Sequence, residues 1–320
     1  MSDVILNLLP LDEGRRARFL AAAPGVEQIF APAFGTYEPP RAPTEDELAR
    51  ATIILGSAQI SDVARAPALR WLQTWSAGVD QYLAPGAFPA GAALTCATGA
   101  YDQTVAEHML AMTLALCRKL PLYRDNQNAG QWKTLGRMKS IRGATVLIVG
   151  AGSIGSTFGA LCQALGARTV GLRRTVGAAP QAGLDEVHAM DQLEHWLPLA
   201  DVVALVLPHA PETVHLMDER RLGLLKEGAI LLNAGRGTAV DLDALLPLLR
   251  SRRLWGAALD VTEPEPLPPG HPLWAEPGAL ITPHVAGGFY LEGTLDRVIE
   301  IALDNLGRYL AGQPLKNRKK

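Results

Sequence analysis

The chain has 320 residues, 48% of them hydrophobic and 19% charged, with 30 Lys plus Arg against 32 Asp plus Glu for a formal net charge of −2. That length fits two domains of roughly 150 residues. The apolar fraction excludes a largely disordered chain, and nothing in the charge balance suggests a nucleic-acid binder, which would need a basic surplus against phosphate.

Apolar runs at residues 4–9, 26–30, 52–55, 70–74 and 93–97 predict strands, with helical patterns at 13–22 and 44–50 between them. Strands alternating with helices imply a parallel sheet with crossovers, hence an α/β fold. The proline-rich segment 33–43 predicts a loop. Val105, Met109, Met112 and Leu116 recur at helical spacing over about 103–118. Residues 120–139 are polar, with Asn126, Gln127, Asn128, Gly130 and Trp132, and read as an arm outside the core. A second series then begins, with strands at 145–149, 169–172, 202–207, 229–233, 256–261 and 279–282 and helices at 153–165 and 241–252. A closing helix over about 291–310 comes too late for this series; its return to the first domain would make that domain discontinuous. The basic tail of Lys316, Arg318, Lys319 and Lys320 reads as frayed and solvated. Cys96, Cys117 and Cys162 are widely spaced and form no CxxC pair. They predict no disulfide framework and no metal site, and fit a reducing, cytoplasmic setting. No apolar run approaches the roughly 20 residues of a membrane span, and the N-terminus has no basic signal-peptide flank.

The run Val149-Gly150-Ala151-Gly152-Ser153-Ile154-Gly155 follows a predicted strand and opens a predicted helix, the context of a dinucleotide fingerprint. Gly150 permits the tight turn, Gly152 the approach of a pyrophosphate, and Gly155 the packing of helix on strand. The helix opening at Ser153 and Ile154 offers free N–H groups and a positive dipole end to phosphates. An acidic residue about 20 positions past the motif would bind the ribose hydroxyls of NAD. The strand runs instead into Arg173-Arg174-Thr175, two cations and a hydroxyl suited to the 2′-phosphate of NADP(H). The bland alternative is a solvated loop.

Arg236, Glu265 and His284 each lie just past the end of a predicted parallel strand, the edge on which open α/β sheets bind ligands. Of the seven histidines, His108, His188, His195 and His271 read as structural or surface residues. His209 and His215 follow the strand at 202–207, and His209 is a candidate for the cofactor cleft. Glu263 rivals Glu265.

These residues and their order resemble the D-isomer-specific 2-hydroxyacid dehydrogenase family over nearly the whole length. The resemblance rests on Ser76-Ala77-Gly78-Val79-Asp80, Val105-Ala106-Glu107-His108, the glycine motif, Leu207-Pro208 with Pro211-Glu212-Thr213, residues 233–237 and 260–266, and Pro283-His284. Within the family the chain is most similar to glyoxylate/hydroxypyruvate reductases. The resemblance implies a Rossmann-type cofactor domain over 101–286 and a discontinuous flavodoxin-like substrate domain over 1–100 and 287–320, with a cleft between them. It implies NADPH-preferring reduction of a 2-ketoacid to the D-2-hydroxy acid, with NAD(H) second because Arg173 replaces the aspartate of NAD users.

In these terms Arg236 would hold the substrate carboxylate and polarise its carbonyl. His284 would donate the proton, and Glu265, ranked above Glu263 on this resemblance, would bond His284 and favour its protonated form. The N–H groups of Ala77 and Gly78 would bind the carboxylate. Asp260 would meet the nicotinamide carboxamide, and Thr104, Leu207, Pro208, Thr213, Ala234 and Gly287 would line the cofactor. The arm at 120–139 would form a homodimer. Trp75 and Tyr101 flank segments expected near substrate and could wall a pocket or fill core. One rival reading is a cofactor-sensing regulator on the same fold, which the intact Arg236, Glu265 and His284 argue against. Another is a phosphonate- or formate-type dehydrogenase; the formate type pairs its histidine with glutamine.

Overall fold

Two parallel sheets organise the chain, and the computed structural model describes residues 2–30, 42–177, 181–289, 291 and 293–320. The predicted loop at 33–43 lies outside the described residues except for Ala42 and Pro43. By its contacts the chain divides into two compact units, Met1–Tyr101 with Gly288–Lys320, and Asp102–Gly287.

The first unit begins with β1 (Val4–Asn7), α1 (Glu13–Ala22), β2 (Glu27–Phe30), α2 (Glu45–Arg50), β3 (Ile53–Leu55), α3 (Ile60–Ala64), β4 (Trp71–Gln73), α4 (Asp80–Leu83) and β5 (Ala93–Thr95). All neighbours pair in parallel in the order β2-β1-β3-β4-β5, the flavodoxin-like order. Helix starts are set by side chains that satisfy otherwise unpaired N–H groups. Asp12 accepts from the Arg15 amide, and Thr44 and Glu47 form a capping box. Helices α3 and α4 were not expected, since segments of one turn carry no readable period.

The second unit runs through α5 (Asp102–Cys117), α6 (Leu120–Asn128), β6 (Thr145–Val149), α7 (Ser153–Ala164), β7 (Arg168–Arg173), β8 (Glu186–Ala189), α8 (Leu193–Trp196), β9 (Val202–Leu205), α9 (Glu219–Gly223), β10 (Ile230–Asn233), α10 (Leu242–Arg250), β11 (Gly256–Leu259) and β12 (Ala279–Ile281). Among the described residues the sheet has seven strands in the order β12-β11-β10-β9-β6-β7-β8. The direction of strand order reverses between β6 and β9, the switch point at which Rossmann-type sheets bind dinucleotides. Every residue of β9, β10 and β11 is buried, as expected for parallel strands covered on both faces. The polar arm holds a regular helix, α6, that buries no residue and has a proline in its first turn, where the missing N–H costs nothing.

The last helix, α11 (Thr294–Leu310), belongs to the first unit and buries Leu295, Val298, Ile299, Ala302 and Leu306. The basic tail corrects the solvated reading. Its side chains are largely exposed, but its backbone pairs with the edge of β5: Leu94 N donates to Lys320 O at 3.2 Å, Lys319 N to Leu94 O at 2.8 Å and Cys96 N to Asn317 O at 3.3 Å. An unpaired strand edge offers a row of free donors and acceptors; the tail fills it. Among the described residues no helix is long and apolar enough to cross a membrane.

Candidate active site

The glycine turn joins β6 to α7. Gly150 has φ 98°, and a Cβ there would stand 2.4 Å from the Val206 carbonyl oxygen; a Cβ on Gly155 would stand 2.7 Å from the Gly150 oxygen. Both positions therefore exclude a side chain. Gly152 differs, because nothing lies within 4 Å of where its Cβ would be. The open space in front of the turn is what a pyrophosphate requires. Among the described residues the N–H groups of Ser153, Ile154 and Gly155 donate no hydrogen bond, the state of a helix's first turn. This cradle fits a dinucleotide. The Ser153 hydroxyl is already engaged, donating to the Asp102 carboxylate, so its contribution to a phosphate is its backbone N–H.

Arg173 ends β7 half-buried, with its Nη1 on Gln181 Oε1 at 2.6 Å. Arg174 is 89% exposed and approaches Glu212 at 3.7 Å, and Thr175 is exposed. Sequence reasoning passed over Gln181, because nothing in spacing links it to the turn.

Strands β10, β11 and β12 end level, with Asn233 beside Leu259 and Leu259 beside Ile281. Arg236, Glu265 and His284 leave from these adjacent ends, strands being about 4.8 Å apart. His284 Nδ1 lies 2.6 Å from Glu265 Oε1. A carboxylate only accepts, so Nδ1 carries the hydrogen, and Nε2 is left for other chemistry. The pair is about half exposed. Glu263 bonds His215 Nε2 at 3.1 Å instead, which separates the two rival glutamates. Arg236 is half-buried, and its Nη1 donates to the Gly235 carbonyl at 2.9 Å. Asn233 Nδ2 donates to the Arg236 carbonyl at 2.9 Å and fixes that loop.

Asp260 is 2% exposed and braces the histidine turn. Its Oδ1 accepts from Thr282 Oγ1 at 2.6 Å and Val285 N at 3.0 Å, and its Oδ2 from Ala286 N at 3.1 Å. A carboxylate offers about four acceptor sites; one on Oδ2 is left for a further donor. Helix α5 braces the turn from its other end, with Thr104 Oγ1 on the Ala286 carbonyl at 3.3 Å and His108 Nε2 beside Thr282 Oγ1 at 3.0 Å. Residues 104 and 108 share a helix face. Sequence reasoning read His108 as bland; its spacing from Thr104 was the available signal.

Leu207 is buried beyond β9, and the Thr213 hydroxyl donates back to the Pro208 carbonyl at 2.9 Å, folding that loop. Ala234 N donates to Leu205 O at 3.1 Å, and Gly287 is exposed at the unit's last residue. His209 Nδ1 meets Thr238 Oγ1 at 3.1 Å. In the first unit, the Ala77 and Gly78 N–H groups donate no hydrogen bond among the described residues, while Ser76 Oγ holds the Gly78 carbonyl at 2.7 Å. They form a donor pair beyond β4. The Tyr101 hydroxyl donates to the Trp75 carbonyl at 2.6 Å, and both rings pack on Phe289. Burial pushes the Tyr101 hydroxyl well above the usual phenol range.

Residues 110–286 match the model for the D-isomer specific 2-hydroxyacid dehydrogenase, NAD binding domain. A glyoxylate reductase of Aeropyrum pernix is 31% identical over 292 residues, 87% of this chain and 85% of the relative. The crystal structure of a D-isomer specific 2-hydroxyacid dehydrogenase family protein from Aeromonas salmonicida gives a TM-score of 0.84 at 32% identity, covering 100% of this chain and 99% of that one. A D-isomer specific 2-hydroxyacid dehydrogenase from Xanthobacter autotrophicus, solved with NADPH and MES, gives 0.80 at 28% identity, covering 100% and 98%. With more than half of its length matched by the family model, this chain belongs to the D-isomer specific 2-hydroxyacid dehydrogenases, NAD(P)-dependent oxidoreductases.

Proposed function

We propose that the chain reduces a 2-ketoacid, of the glyoxylate or hydroxypyruvate type, to the D-2-hydroxy acid with a preference for NADPH. The observation that carries the reading is the 2.6 Å bond from His284 Nδ1 to Glu265, which leaves Nε2 for other chemistry at the strand-end edge from which Arg236 also leaves. Arg236 grips the substrate carboxylate, two-pronged as a guanidinium can. Ala77 and Gly78 keep the role of carboxylate donors that the resemblance gives them. His284, entering as the imidazolium, delivers the Nε2 proton to the carbonyl oxygen. It is left as the neutral ring with its hydrogen on Nδ1, which Glu265 holds with Nε2 outward. When bound, the nicotinamide supplies hydride to the carbonyl carbon. Gly150, Gly152, Ser153, Ile154 and Gly155 hold the pyrophosphate, the spare acceptor on Asp260 takes the carboxamide, and Arg173 with Arg174 and Thr175 takes the 2′-phosphate. Support for the cofactor comes from the relative solved with NADPH and from guanidinium in place of carboxylate at the end of β7.

In this reading the unit from Asp102 to Gly287 is the cofactor domain and the other the substrate domain. A homodimer forms through α6 and the arm behind it, whose Trp132 is fully exposed and Leu120 55% exposed. The test is kcat/KM for NADPH and NADH against glyoxylate, hydroxypyruvate, pyruvate and phenylpyruvate. NADPH should be favoured about tenfold or more, since charge-assisted bonds are worth about 1.5–3 kcal/mol, and Arg173→Asp should reverse the order. Equal use of the two cofactors by the wild type would reject the preference, and no turnover of any ketoacid would reject the reaction.

A further inference from the structure

We infer that Gln181 sets the cofactor preference by fixing Arg173 against the glycine turn; this rests on the NADPH reading above. The Gln181 amide is half-buried and satisfied on both sides. Its Oε1 accepts from Arg173 Nη1 at 2.6 Å, and its Nε2 donates to the Ala151 carbonyl at 2.8 Å and to the Ser156 hydroxyl. The hydroxyl passes its own hydrogen to the Gly152 carbonyl at 2.8 Å. The amide orientation follows from its neighbours, because a guanidinium only donates and a carbonyl only accepts. Arg173, Gln181, Ser156 and Gly152 thus form one directed chain of hydrogen bonds. It ties the guanidinium to the backbone that faces the pyrophosphate.

The backbone beside Gln181 is itself pressed on α7: a Cβ on Gly183, whose φ is 81°, would meet the Ser156 carbonyl oxygen at 2.2 Å. The amide is therefore carried on a held segment. A free arginine loses rotamer freedom when it meets a phosphate, whereas one already ordered loses little. One of the five guanidinium donors is used by Gln181, and the others are available to an anion. Arg174, almost wholly exposed and paired only at 3.7 Å, has no comparable support and belongs to the class of surface pairs that contribute little. Discrimination therefore falls on Arg173 and on the amide that orders it. Gln181 is a positioning residue that acts through Arg173.

The test reads binding and needs no turnover. The affinities of 2′,5′-ADP and 5′-AMP are measured by titration calorimetry for the wild type, Gln181→Met and Gln181→Glu. The wild type should bind 2′,5′-ADP about tenfold or more tighter than 5′-AMP. Gln181→Met should cut that ratio at least fivefold with 5′-AMP affinity unchanged. Gln181→Glu, which places a carboxylate on Arg173, should abolish it. If Gln181→Met keeps the wild-type ratio, whether or not both affinities fall together, the role of Gln181 is overturned while the NADPH reading stands. If the wild type does not prefer 2′,5′-ADP, the NADPH reading fails and this inference with it.

Discussion

His284 sits at φ 51°, in the left-handed region that a residue with a side chain rarely adopts unless its surroundings hold it there. The holding is visible: its own N–H donates to Asp260 O at 2.8 Å, and the next two amides are taken by the Asp260 carboxylate. For the proton transfer proposed above, a histidine kept this way would lose little to reorganisation. His284→Ala, folded and still binding cofactor, should lower kcat by about 10² to 10⁴; stopped-flow reduction rates near the wild type would remove the residue from the mechanism. Arg236→Lys should raise KM and lower kcat together at unchanged cofactor affinity, because an ammonium cannot reproduce a planar fork. Ketoacid esters reduced as fast as the acids would deny Arg236 its carboxylate. The strand-end positions of Arg236, Glu265 and His284 were legible in the sequence because each falls in the loop that follows an apolar strand. Gln181 and the bracing role of Asp260 were not, since no helical or strand period connects them to their partners, most of which stand 22 to 30 residues away.

Helices α5, α7 and α10 fall within two residues of their predicted bounds, whereas α6, nine residues long, was read only as part of a polar arm because it buries no residue and so shows no apolar period. Those missed have physical reasons: α8 and α9 are four and five residues long, and β8, Glu186–Ala189, is a half-buried strand at the sheet's edge with two of its four residues polar. The docked tail was illegible because its charged side chains do face water while only its backbone is bound. What anchors it is internal. Asn305 is fully buried on α11, its Nδ2 donating to Gln73 Oε1 at 2.8 Å and to Lys316 O at 3.1 Å, and its Oδ1 accepting from Lys316 N at 2.8 Å. Gln73 Oε1 also accepts from Thr95, whose hydroxyl in turn accepts from Trp71 Nε1. Removing one member of such a network strands its partners. Asn305→Leu should cost about 1–3 kcal/mol in urea unfolding and speed amide exchange at Leu94 and Lys319. Unchanged protection at those two amides would show that the tail is held by something else.

At the scale of the molecule, the three thiols report on the two units. Cys96 lies in one and Cys117 and Cys162 in the other, all buried. Burial pushes the Cys117 thiol up and that of Cys162 to about 12, and only the thiolate reacts. At pH 8 the native protein should therefore release no colour from a disulfide reagent over minutes. In urea, Cys96→Ser and Cys162→Ser variants should show which unit opens first. A fast-reacting native thiol would contradict the packing. The division of the chain also has a consequence in time. The first unit is interrupted after Tyr101 and resumes at Gly288, so the helix that completes it, α11, is synthesised only after the whole of the other unit. At about 5–20 residues per second, that is a delay of many seconds. During it, the sheet of the first unit waits without the apolar face of Val298, Ile299, Ala302 and Leu306, while the nucleotide-binding unit is already complete. On the ribosome the order of folding is thus the reverse of the order of the first residues: the inserted unit closes first, and the one that begins the chain closes last.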